Sequence, residues 1–215
     1  MAPFRHDQQG VVACRCPALQ RPAGFSLIEL LITMALIIVL YVLYFSRSAQ
    51  HRQNQLKAQC AQNLQHIHVA LQTYTLENRD AFPVVKAAKT SEPPLSLLVP
   101  KYTSVTAPFI CPGPGGGALP EAKPFADRRI SYAYYMGQTA KSEADQPLVT
   151  DAQVNTQSKA QGDLLFSRDG EKPGNNHHRF GGNVMFCDGR IEESNAKASF
   201  ALVVTGKVVL LNPKP

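Results

Sequence analysis

The sequence predicts an α+β chain: one long amino-terminal helix followed by a small antiparallel sheet. Three observations lead there. Residues 25–45 form an apolar run with a single charge, Glu29, and an amphipathic stripe follows it with no proline before Pro83. Beyond that point, short strand-like runs alternate with clusters of glycine and proline, and two of the runs flank an Asp188-Gly189 turn. A helix-period segment followed by period-two segments is the pattern of a helix packed on antiparallel strands.

Composition limits the organisation. With 215 residues, the chain has room for one modest domain beyond a membrane segment. A hydrophobic fraction of 44% and a charged fraction of 18% suit a globular head on a membrane stem. The formal net charge is +6, but Lys and Arg are scattered, with no run longer than Arg128-Arg129. That distribution is ordinary surface charge, and nucleic acid is not expected as a partner.

About 20 helical residues cross a hydrocarbon core of roughly 30 Å, so residues 25–45 are long enough to span a bilayer. A secretory signal has a core of about 7–15 residues, with its small-residue cleavage site after the core. Here the small residue, Gly24, precedes the run. Residues 1–24 are polar, without apolar periodicity, and are set aside from the fold. Glu29 then needs a partner, because a carboxylate in a membrane helix costs about 2.5–3.5 kcal/mol on insertion scales. A cut between Gly24 and Phe25 would leave a new amine about one helical turn away, in the same chain or a neighbour. The plainer alternative is an interfacial Glu in an ordinary anchor. Arg15 and Arg21 flank one side of the run, and Arg47, Arg52 and Lys57 the other, so the positive-inside count does not fix orientation.

Gly24, then Phe25-Ser26-Leu27-Ile28-Glu29, then an unbroken hydrophobic helix, resembles the processing site of type IV prepilins and type II secretion pseudopilins. The resemblance implies cleavage after Gly24 by a prepilin peptidase, N-methylation of Phe25, and Glu29 as the fifth mature residue guiding assembly. It also implies a bacterial inner-membrane protein with a cytoplasmic leader and a periplasmic head. Its partners would be the peptidase and other pilin or pseudopilin subunits. One departure is Ser46, which stands where many family members carry a helix-kinking proline.

Further along, Leu56, Cys60, Leu64, Ile67, Leu71 and Tyr74 are spaced 4, 4, 3, 4 and 3 apart. This is the stripe of a helix with one buried face. Gln53, Lys57, Gln62, Gln65 and Gln72 are expected on the opposite face. A helix from about residue 25 to residue 78 would be roughly 80 Å long. Asn78-Arg79-Asp80 and then Pro83 end it. The segment 60–83 is similar to the stem end of pseudopilin-like proteins. The expected divisions are therefore leader 1–24, membrane segment 25–45, amphipathic stem 46–79 and head 80–215.

In the head, residues 93–100 read as a short helix with proline at both ends. The run Gly113-Pro114-Gly115-Gly116-Gly117 is a loop, and it lacks the Lys-Ser/Thr ending of a phosphate loop. Strands are expected over 130–136 and 147–151, with a long surface loop over 152–174. Residues 183–187 and 190–193 form a hairpin about Asp188-Gly189. The tail, 200–211, reads as a second hairpin. The expected architecture is thus the pilin-like fold, a long helix on a small antiparallel sheet.

Cys14 and Cys16 fall in the leader, leaving Cys60, Cys111 and Cys187. Three cysteines allow one intramolecular disulfide, and an exported head permits it. Cys60–Cys111, tying stem to head, is the pairing expected, although spacing alone does not fix connectivity.

The remaining chemistry lies between Asn175 and Gly189. His178, nine residues and Asp188-Gly189 resemble the H-x9-DG signature at the carboxyl end of many prepilin-like proteins, which indicates family and not chemistry. Three readings stay open. His178 and Asp188 orient each other or cap backbone groups of the hairpin. Alternatively they bind a divalent metal ion together with Asp151 or His177. Related major pseudopilins hold calcium, but calcium prefers oxygen ligands, so a His ligand points to zinc or another transition metal. A His–Asp catalytic pair is the third, and the weakest, because no Ser or Cys nucleophile sits beside it. Cys187 and Asp188 would face opposite sides of a strand.

The expected function is a non-enzymatic subunit, a pseudopilin of a type II secretion-type filament. The alternatives are a type IV pilin of a surface or DNA-uptake fibre, and a membrane-anchored metal-dependent enzyme using His178 and Asp188.

Overall fold

A single helix, α1 (Leu27–Glu77), accounts for 51 residues of the fold. The computed structural model describes residues 26–113, 123–204 and 206–215, with the backbone alone at 46–49. Cys14, Cys16, Gly24 and Phe25 lie outside the described residues. The chain divides between Phe45 and Ser46 into two compact units. In the first unit every described residue is exposed, including the large apolar side chains from Leu27 to Phe45.

In the second unit the predicted stripe is the buried face of the helix. Cys60, Leu64, Ile67 and Leu71 are fully buried, and Leu56 and Tyr74 are half-buried. Lys57 departs from expectation. It is buried, its ammonium 2.6 Å from the exposed Glu193 carboxylate. A lysine can bury its four-carbon stem provided its charged end finds a partner. The helix stops where Arg79 and Asp80 take left-handed φ values of 55° and 62°. The Asp80 N–H donates to the Thr75 carbonyl at 3.1 Å, and the Asn78 amide donates to the Tyr74 carbonyl at 2.8 Å. Both bonds satisfy carbonyls that the last turn would leave bare.

A short helix, α2 (Glu92–Ser96), has proline in its first turn, where a missing N–H costs nothing. The sheet has five strands: β1 (Tyr132–Met136), β2 (Pro147–Asp151), β3 (Gly182–Phe186), β4 (Ile191–Ser194) and β5 (Val209–Leu211). Their order is β4-β3-β2-β1-β5, with every pair antiparallel. The β3–β4 hairpin turns through Asp188-Gly189, closed by a 2.9 Å bond from the Phe186 N–H to the Arg190 carbonyl.

The tail does not form the predicted second hairpin. Residues 209–211 instead pair with β1, and this buries Val208 and Leu210 against Ala133 and Tyr135. Leu202 exchanges two 2.8 Å backbone bonds with Lys159 of the long loop. The open sheet edge and the long loop supply the partners of the apolar tail, which buries Val208 and Leu210 on the first and Leu202 on the second.

Both faces of the sheet are covered. Tyr132, Tyr134, Val149 and Met185 meet α1 and α2, while Val184 and Phe186 meet Leu165, Phe166 and Leu202. Strands buried on two sides read as continuous apolar runs, as YAYYM does here. The architecture is the α+β, pilin-like arrangement of a long amino-terminal helix and a small antiparallel sheet.

Candidate functional site

Two regions carry the residues singled out by the sequence. The first is the start of α1. Glu29 lies in its first turn, exposed, amid exposed Leu27, Ile28, Leu30 and Leu31. Apolar side chains all round a helix need a non-aqueous or helical environment to cover them. Among the described residues this is the one helix long and apolar enough to cross a membrane.

The second region is buried where α1 meets the sheet. Cys60 and Cys111 are joined as a disulfide, their Cα atoms 5.4 Å apart. Cys60 comes from the buried face of α1, and Cys111 follows a one-turn helix whose Phe109 enters the core. Asn63, one turn beyond Cys60, donates at 2.9 Å to the Ile110 carbonyl and so fixes the Cys111 segment against the helix. Asp151 ends β2 opposite Tyr132, with no exposed surface. Its Oδ1 accepts from Asn176 Nδ2 at 2.6 Å, and its Oδ2 accepts from the Asn183 N–H at 2.8 Å. His177 is fully buried as well. Its Nε2 lies 3.2 Å from Cys111 Sγ and 3.8 Å from Asp151 Oδ2. Burial pushes the His177 pKa down, because water no longer solvates the charged ring, while Asp151 pulls it back up.

Gly113 is required for this arrangement. A Cβ there would sit 2.0 Å from the Asn176 carbonyl oxygen and 2.9 Å from His177 Nδ1. The backbone after Cys111 approaches the 176–177 segment more closely than any side chain permits.

The residues of the H-x9-DG stretch separate. His178 is half-buried against Gly170, and its backbone φ is 52°. Asp188 is exposed, and its Oδ1 caps the Arg190 N–H at 2.9 Å. No hydrogen bond or ion pair joins His178 to Asp188 among the described residues. Nor do these two come together with Asp151: the one set of three or more clustered metal-type donors among the described residues is Cys60, Cys111, Asp151 and His177. The two residues expected as auxiliary ligands, Asp151 and His177, are in this set, whereas the two expected as its principal ligands, His178 and Asp188, are not. Cys187 is a free, buried thiol, and burial pushes its pKa up to about 12, which makes it a poor nucleophile.

No local spacing could have revealed this cluster. Cys111 and His177 are 66 residues apart, and Cys60 and Asp151 are 91 apart. Asn176 and Asn183, which hold the carboxylate, give no sequence signal either. The available hints are the expected Cys60–Cys111 pairing and a His pair in a polar loop.

In comparison with known families, residues 19–40 fit the prokaryotic N-terminal methylation motif. This span includes Gly24, Phe25 and Glu29, and it supports a prepilin-like protein. No curated protein and no solved structure matches the chain.

Proposed function

We propose that the chain is a subunit of a type II secretion-type filament, a pseudopilin. In this reading prepilin peptidase cuts after Gly24 on the cytoplasmic side, Phe25 is N-methylated, and the head stands in the periplasm. Filament growth packs the apolar half of α1 against the same segment of neighbouring subunits, with each Glu29 meeting the methylated amine of Phe25. The observation that carries the reading is the coincidence of the methylation motif at 19–40 with a helix whose apolar surface is exposed from Leu27 to Phe45. Such a surface has no place in water and is covered by lipid before assembly and by like helices after it.

The test is the intact mass of the protein purified from the membranes of its host. The expected mass is that of the chain from Phe25 plus one methyl group. A full-length mass would overturn the reading and leave an uncut anchor carrying the head. The choice of a secretion filament over a surface pilus is read separately, by immunogold labelling of whole cells. Labelled surface fibres would move the protein to the type IV pilins.

A further inference from the structure

We propose that the buried cluster of Cys60, Cys111, Asp151 and His177 is a zinc site in the dithiol form of the protein, and that the Cys60–Cys111 disulfide is its metal-free alternative. The proposal stands independently of the filament reading. Its first support is geometric. One donor atom from each of the four residues lies within 4.8 Å of the other three, and all four residues are buried. Zinc in a tetrahedral shell binds sulfur at about 2.3 Å and nitrogen or oxygen at about 2.0–2.2 Å, which places neighbouring donors about 3.4–3.8 Å apart. With Asp151 Oδ2 as the oxygen donor, it lies 3.8 Å from His177 Nε2, and His177 Nε2 lies 3.2 Å from Cys111 Sγ, each within a few tenths of an ångström of those separations. Opening the disulfide frees both sulfurs to complete the shell.

The surroundings supply the second support. Metal ligands are oriented by partners one layer out. Asp151 is held by Asn176 and Asn183, so its carboxylate is fixed before any ion arrives. Each sulfur also receives a donor: the Tyr132 hydroxyl lies 3.3 Å from Cys60 Sγ, and the Gly113 N–H lies 3.3 Å from Cys111 Sγ. Donors aimed at sulfur favour thiolate over thiol. Two of the four donors are sulfurs and one is an imidazole, a set suited to zinc and unsuited to calcium, which takes oxygen. The elements that deliver them are α1, the Cys111 loop, β2 and the 175–177 loop, so one ion would tie the stem helix to the head as the disulfide does.

The chemistry balances simply. One Zn²⁺ binds the two thiols as thiolates and releases two protons. Oxidation to the disulfide removes two electrons by thiol–disulfide exchange with a disulfide-bearing oxidant, which takes up two protons from water and leaves as a dithiol. The two sulfurs then lose their charge and the ion departs. The cluster therefore offers the same cross-link in two redox states.

The test uses the full chain in detergent, purified without a histidine tag, reduced with a phosphine and freed of chelator under anaerobic conditions. It is titrated with Co²⁺ and then with Zn²⁺. The expected result is one equivalent of cobalt with intense thiolate-to-metal charge-transfer absorption and tetrahedral d–d bands, displaced by one equivalent of zinc. After re-oxidation to the disulfide, both signals should vanish. A cobalt spectrum without thiolate absorption, or equal metal uptake by the disulfide form, would overturn the proposal. These readings come from the unsubstituted chain, so a variant that misfolds does not decide the matter. His177→Ala is expected to weaken zinc binding at least about tenfold, whereas His178→Ala and Asp188→Ala leave the spectrum unchanged. The reverse pattern would place the metal at the hairpin and reject this cluster.

Discussion

Gly189 shows how much one position can carry. Its φ is 86°, in the left-handed region, and a Cβ there would lie 2.5 Å from the His68 ring on α1. Gly189→Ala is therefore expected to destabilise the folded head by at least about 1–2 kcal/mol, the usual strain of a left-handed non-glycine residue, before any displacement of His68. Denaturant titration of the two proteins measures this, and an unchanged midpoint would refute it. His68 itself makes the fold sensitive to pH. Burial lowers its pKa below the ordinary 6.5, more than the Cys187 backbone and the Asp188 carboxylate raise it. The unfolded chain then takes up the proton first. Stability is intact above about pH 6.5, declines as pH falls towards the lower folded value, and is flat below that. Stability measured against pH should show this decline, and His68→Gln should flatten it. The Asp-Gly turn was legible because its chemistry is local. Its contact with His68 was not, because nothing in a turn sequence says which helix lies beneath it.

At the scale of elements, α1 was the most legible part. The spacing from Leu56 to Tyr74 identifies the buried face, since the helical period alone sets which side chains align. Leu64, fully buried at the centre of that stripe, tests the reading. Leu64→Ala is expected to cost about 2–5 kcal/mol, whereas Gln65→Ala, one residue away on the exposed face, should cost well under 1 kcal/mol. Similar losses from the two would mean that this face does not hold the head. Lys57 departs from the exposed face that periodicity gives it, because periodicity sorts residues by polarity and cannot see an ion pair with a strand more than a hundred residues away. The tail departs from its expected hairpin for a related reason: residues 200–211 are apolar enough for a hairpin, but the open edge of β1 competes for them. Where a strand pairs depends on which edges the rest of the fold leaves free.

On the scale of the whole molecule, the sequence and the structure speak most clearly about different halves. The amino-terminal motif is contiguous, so Gly24, Phe25 and Glu29 can be read directly from their spacing. The Cys60–Cys111–Asp151–His177 cluster exists only once α1, two loops and β2 have come together, which is why spacing points to His178 and Asp188 and gives Asp151 and His177 only secondary places. The motif makes the sharpest prediction about assembly. Glu29 is a single carboxylate in a helix that is otherwise apolar through Phe45. In lipid it is costly to bury, and pairing with a positively charged amine offsets that cost. If cleavage after Gly24 creates that amine, Glu29→Ala removes a burden on insertion and a partner for assembly at once. The variant should insert, be cut and be methylated, giving the same processed mass less the change at residue 29. It should also fail to enter filaments, remaining in the membrane fraction after shearing and sedimentation. Gly24→Leu should instead stay at full length. Normal filaments from Glu29→Ala would mean that the carboxylate serves only as an interfacial anchor, and that helix packing alone drives growth.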